Sequence, residues 1–208
     1  MGGDAVKRTP RRARIRNVFA VLALLSIRSL RADTLPELVS PEVDRAIRHS
    51  LDFLAGAQQN DCWSTSHGDD QASESTHAYV EYLTGLSGIV LLQSGSTPHE
   101  GRYADAIMRA TTYVMSLADE DGLISGGKAG GRIMYGHGMA MLFLSQVYGM
   151  LHDPVLEKRL QGVLTRAVAF TTKAQTTAGG WGYVSAKDGN QFDEGSTTIT
   201  QVQGLRGC

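Results

Sequence analysis

Proline and cysteine are scarce in this 208-residue chain, at five and two residues. Few prolines leave long helices uninterrupted, and 24 glycines supply tight turns between them. Two cysteines, Cys62 and Cys208, allow at most one disulfide, and the sequence leaves their distance open. Strand-like alternation of useful length is missing, so no sheet is expected. Also missing are G-x-S-x-G, the phosphate-binding P-loop, HExxH and CxxC, which removes several hydrolase, nucleotide, metalloprotease and redox readings. The longest apolar run, Val18 to Ile27, is too short to span a bilayer, which takes about 20 residues.

Net charge is only −1, but it is unevenly spread. Lys7, Arg8, Arg11, Arg12, Arg14, Arg16, Arg28 and Arg31 crowd the start of the chain, with Asp4 as the one acid before residue 33. The rest is acidic on balance, which does not suit nucleic acid, since phosphate binding needs clustered positive charge. The basic stretch, the apolar run and the small residue Ala32 together read as an export signal over residues 1–32, with an uncleaved anchor as the alternative. Residues 33–42 read as a linker. The expected location is then periplasmic, cell-surface or secreted, with no stable membrane span once the leader is removed.

What is present is helix. Val43, Ile47, Leu51 and Leu54 recur every three or four positions, and Ser40 with Pro41 makes a start signal. The same amphipathic pattern returns at 102–117 and at 155–174. Between these lie 78–93 and 138–151, apolar nearly all round and expected to be buried, and a third such helix begins near Ser196. Aligning the amphipathic helices on Phe53, Tyr113 and Phe170 exposes a period near 60 residues, the mark of stacked supersecondary units. Each unit pairs an outer amphipathic helix with an inner apolar one across a Gly-rich turn.

The units carry a motif at the turn. The third reads Arg166, Phe170, Gln175, Gly179, Trp181, and the first reads Arg48, Phe53, Gln58, Trp63, with Asp61 in the glycine place. In the second, Ala118 stands where Gln is expected and Leu123 where Trp is expected. This resembles the QW-type repeat of the squalene cyclase and prenyltransferase superfamily over residues 43–208. "MYGHGMAMLFLSQVYGM" followed by "GGWGY" is similar to exported bacterial proteins with prenyltransferase and squalene oxidase repeats. The resemblance implies an all-α fold, an α/α toroid of helical hairpins, here incomplete at the C-terminus. It makes Gln58, Trp63, Gln175 and Trp181 structural, holding each outer helix to the next inner one.

Squalene-type cyclases protonate an alkene with a "DxDD" acid, and no such stretch occurs. Asp69 and Asp70, in "HGDDQASES", and Asp193 and Glu194, in "QFDEGSTT", sit in comparable places, where turn and capping carboxylates are the plainer reading. His137, flanked by glycines at the mouth of an apolar helix, is a weak third candidate, as a general base or a ligand-gripping donor, alongside a helix-cap role with a satisfied hydrogen bond. Tyr79, Tyr82, Tyr135, Phe143 and Tyr148 lie on or beside inner helices and are candidates to line a ligand cavity, against plain core packing. Zinc, which related prenyltransferases use, would have to draw on Cys62, His67 and His77; four ligands in tetrahedral reach are not evident, and no metal or cofactor is expected. The thioester motif of complement-like toroids is absent. A non-catalytic scaffold or a module for an isoprenoid, a lipid or a peptide is expected, with self-association or further repeats covering the apolar faces. The alternatives are the N-terminal part of a cyclase- or transferase-like enzyme whose acid lies elsewhere, and a purely structural repeat protein.

Overall fold

A computed structural model describes residues 39–64, 79–126, 132–189 and 191–208. The leader 1–32, most of the linker, His67, Asp69, Asp70 and His77 lie outside the described residues. Among the described residues there are six α-helices and no strand: α1 (Pro41–Gly56), α2 (Val80–Gln93), α3 (Ala104–Ser116), α4 (Ile133–Val147), α5 (Pro154–Ala174) and α6 (Gly195–Gly207). The protein is all-α. No helix among the described residues is long and apolar enough to cross a membrane.

The chain divides into two compact units, Met1–Ile47 and Arg48–Cys208, with the boundary inside α1. In the first, the Ser40 hydroxyl accepts from the Val43 N–H at 3.3 Å, so Ser40 and Pro41 start the helix as the sequence predicts. The second unit holds the core.

Two kinds of helix build that core. α2 and α4 are apolar all round, and α4 packs along α2 on one side and α6 on the other. Small residues permit the approach. A Cβ on Gly88 would stand 2.3 Å from the Phe143 ring, and one on Gly138 would stand 2.7 Å from the Thr200 hydroxyl oxygen. The amphipathic α3 and α5 turn Ile107, Val114, Leu160, Val163 and Ala167 inward to join Phe143 and Leu144 of α4 in one cluster. Burying each large side chain in it contributes about 1.5–3 kcal/mol. At the start of α5, Asp153 accepts from the Val155 N–H at 2.8 Å, with Pro154 in the first turn. Asp52 of α1 accepts from the Tyr103 hydroxyl at 2.8 Å and pairs with Arg102, tying α1 to the head of α3.

Both boundaries of one helix differ from the sequence reading. The second inner helix starts at Ile133, not at 138, because Met134 is fully buried and its N–H donates to the Tyr183 carbonyl. It stops at Val147 because Tyr148 is extended and Gly149 takes a φ of +85°. His137 therefore sits within the helix rather than at its mouth.

Candidate functional site

The residues singled out by the expected repeat gather at three hinges, one after each of α1, α3 and α5. At the first, the Trp63 indole N–H donates to the Leu54 carbonyl near the end of α1, at 2.8 Å. The Trp63 backbone N–H donates to the Thr84 hydroxyl of α2 at 3.1 Å, and that hydroxyl lies 3.4 Å from the Trp63 carbonyl. The third hinge repeats this arrangement. The Trp181 indole donates to the Thr171 carbonyl at 2.8 Å, and the Trp181 N–H donates to Thr198 of α6 at 3.0 Å. Both indoles are buried. Each satisfies a carbonyl that the end of a helix leaves without an intrahelical partner.

The middle hinge keeps the backbone and changes the side chains. The N–H of Gln59, Asp119 and Thr176 donates to the carbonyl of Cys62, Leu123 and Gly180 respectively. Two residues before Trp63, Ile124 and Trp181 stand Asp61, Gly122 and Gly179, all in the left-handed region at φ of +65°, +99° and +99°. Ile124, not Leu123, therefore holds the tryptophan place: the middle loop is one residue longer than the first. Ala118 does stand in the glutamine place. The Ile124 N–H donates to His137 Nδ1 at 3.0 Å, so His137 occupies the position of Thr84 and Thr198.

That bond makes Nδ1 an acceptor, so the neutral ring carries its proton on Nε2. Nε2 lies 2.9 Å from the Thr171 hydroxyl of α5, and the Phe170 ring meets the imidazole edge-on at 5.2 Å. His137 is fully buried, and burial lowers its pKa to about 4, partly offset by the Ala167 carbonyl. Both ring nitrogens are engaged by the protein.

The glutamines act between neighbouring outer helices as well as within a hinge. Gln58 donates to the Ala106 carbonyl of α3 at 3.0 Å and accepts from Arg109 at 2.6 and 3.1 Å. Arg109 also pairs with Asp61 at 3.4 Å. Gln175 donates to the Gly179 carbonyl of its own turn at 2.8 Å. Tyr113 donates to the half-buried Cys62 sulfur; burial first, then the nearby thiol, raises the Tyr113 pKa, and burial also raises that of Cys62. Cys62 and Cys208 are free thiols.

The carboxylates of "QFDEGSTT" belong to the third hinge. Asp193 is exposed and accepts from the Thr176 hydroxyl at 2.5 Å. Glu194 caps α6, accepting from the Thr197 N–H at 2.7 Å and from Ser196, and the Ser196 hydroxyl first of all lowers its pKa to about 2. Glu194 is thereby suited to stay ionised rather than to hand on a proton.

Of the aromatic candidates only Tyr82 and Tyr135 are brought together. Tyr82 and Tyr135 stack with ring centroids 4.6 Å apart, their hydroxyls 3.3 Å from one another. The bond to Tyr82 and burial push the Tyr135 pKa up to about 12. Tyr79 lies at the head of α2, Phe143 is wholly in the core, and Tyr148 is half exposed at the far end of α4. There it joins Leu164, Val168 and Cys208 around a groove of about 360 Å³.

Sequence reasoning missed Glu81. It is buried at the head of α2, accepts from the Gly126 N–H at 3.1 Å and presses against Gly136, where a Cβ would stand 2.1 Å from its oxygen. Burial raises its pKa. The only sequence signal is an acid in the first turn of an otherwise apolar helix. Among the described residues no three His, Cys, Asp or Glu side chains gather as a metal site would require.

No family model, curated protein or solved structure matches the chain.

Proposed function

We propose that the chain is an exported repeat module of the terpenoid-cyclase and prenyltransferase type, a stack of helical hairpins forming an arc of an α/α toroid. On this reading it scaffolds or binds an apolar molecule such as an isoprenoid or lipid, without chemistry of its own. One observation carries the reading: the polar residues that stand out hold helices to one another. Gln58, Trp63, Trp181 and His137 each bond a neighbouring helix or turn, while Asp193 and Glu194 bond the third hinge. The groove beside Tyr148 and Leu164 falls within the usual range for small-ligand sites, about 300–1,000 Å³, and its wall mixes apolar and hydroxyl side chains.

Extraction of the purified chain with organic solvent, followed by mass spectrometry, tests this. Retained isoprenoid or lipid is expected, with loss of retention in Leu164→Trp, which fills the groove. Incubation with squalene is expected to leave it unchanged, and any cyclised product contradicts the non-catalytic reading.

A further inference from the structure

The hinge bonds fix the register between inner helices, since Thr84, His137 and Thr198 receive equivalent backbone donors. That register pairs Leu86 and Val90 of α2 with Met139 and Phe143 of α4. It likewise pairs Gly138 and Met141 of α4 with Ile199 and Val202 of α6. On α4 these residues make the two joints of the layer. Met139 and Phe143 face back onto Gly85 and Gly88 of α2, while Gly138 and Met141 face forward onto Gln201 and Gly204 of α6. Among the described residues, the counterparts at the two edges have no such neighbour. Leu86 and Val90 are each 37% exposed on α2, and Ile199 and Val202 are 59% and 42% exposed on α6.

The outer layer shows the same break at the α2 end. Phe170 packs edge-on against His137 of the preceding inner helix, and Tyr113 lies against the core. Phe53, their counterpart on α1, is 71% exposed. One edge thus offers the surface that receives a preceding inner helix, and the other offers the surface that receives a following one. Both are apolar, and a folded chain rarely leaves such patches open without a partner.

We propose that copies of this chain join head to tail, with the α6 edge of one, Ile199 and Val202, seated against Leu86, Val90 and Phe53 of the next. The inference rests on the stacked-hairpin part of the proposed function and not on ligand binding. Ile199 stands where α4 has Gly138, so the joint between copies is side chain on side chain and wider than the joints within the chain. Two different surfaces meet, so the association is heterologous: it grows into open chains or closes into a ring, rather than stopping at a two-fold dimer.

Sedimentation of the full chain across micromolar concentrations tests the proposal. Oligomers that grow with concentration are expected. The exposed-edge substitutions Ile199→Glu with Val202→Lys, and Leu86→Glu with Val90→Lys, are each expected to weaken association at least about tenfold while helical circular dichroism is kept. Mixing the two variants is expected to give a one-to-one dimer, since one intact joint remains. A full chain that stays monomeric overturns the proposal. So does an α2-edge variant that still dimerises, because that result makes the joint α6 on α6. Lipid retention by the edge variants is read separately, so loss of assembly and loss of the binding reading are distinguishable.

Discussion

The first and third hinges differ from the middle one in every side chain that matters, yet all three satisfy the same backbone donor. Trp63 and Trp181 place an indole under the preceding helix and give their N–H to a threonine. The middle hinge has Ile124 in the tryptophan place, no glutamine, and His137 as the acceptor. The imidazole is longer than a threonine hydroxyl, so its second nitrogen reaches α5 and Thr171. What is preserved is a left-handed residue two positions before the anchor and an acceptor on the next inner helix. The anchoring side chain is free to change.

The largest test of this comparison removes the anchors. Trp181→Ala and Trp63→Ala are each expected to cost about 3–5 kcal/mol in denaturant unfolding, and Ile124→Ala about 2–4 kcal/mol. A smaller loss at Trp181 than at Ile124 breaks the equivalence.

Acid gives the next largest effect. The folded pKa of His137 lies near 4, below its ordinary value of 6.5, so the unfolded chain binds the proton more readily. Its contribution is complete above pH 6.5 and is lost as pH falls toward 4, about 3 kcal/mol over that window. Glu81 pulls the other way: its raised pKa favours the folded state at low pH, and that advantage fades as pH rises. Stability against pH, measured in a Glu81→Gln background, is expected to fall below pH 6.5. It is expected to flatten when His137→Thr is added, which restores the side chain of the other two hinges.

The smallest effect separates the glutamines. Gln58 spans two outer helices and Gln175 only its own turn. Gln58→Ala is expected to cost about 1 kcal/mol, and Gln175→Ala less than half of that, since both are partly solvated. Equal losses contradict the assignment of Gln58 as the cross-helix tie.

The helices and the outer hinges were legible because their signals are local. The 3.6-residue period locates α1, α3 and α5, and the Gln and Trp spacing marks two hinges outright. The middle hinge was misplaced by one residue, at Leu123, because it follows the spacing of the third hinge rather than the shorter first one and Ile124 has no chemical distinction of its own. His137 was visible only as an unusual residue; its role depends on the Ile124 N–H and on Thr171, which the fold alone brings to it. Glu81 passed unnoticed because a buried carboxylate is uncommon and its partner, Gly126, lies 45 residues away. The tyrosines looked alike in sequence, yet only Tyr82 and Tyr135 meet, since an all-apolar helix gives no clue to which face meets a neighbour.

The central claim is that His137 closes the middle hinge as the threonines close the others. Nitrogen-15 NMR of the histidine rings in the folded chain tests it directly. The account predicts a His137 ring that is neutral, protonated on Nε2, and unprotonated on Nδ1 down to about pH 4. A ring that titrates near 6.5, or that carries its proton on Nδ1, contradicts it.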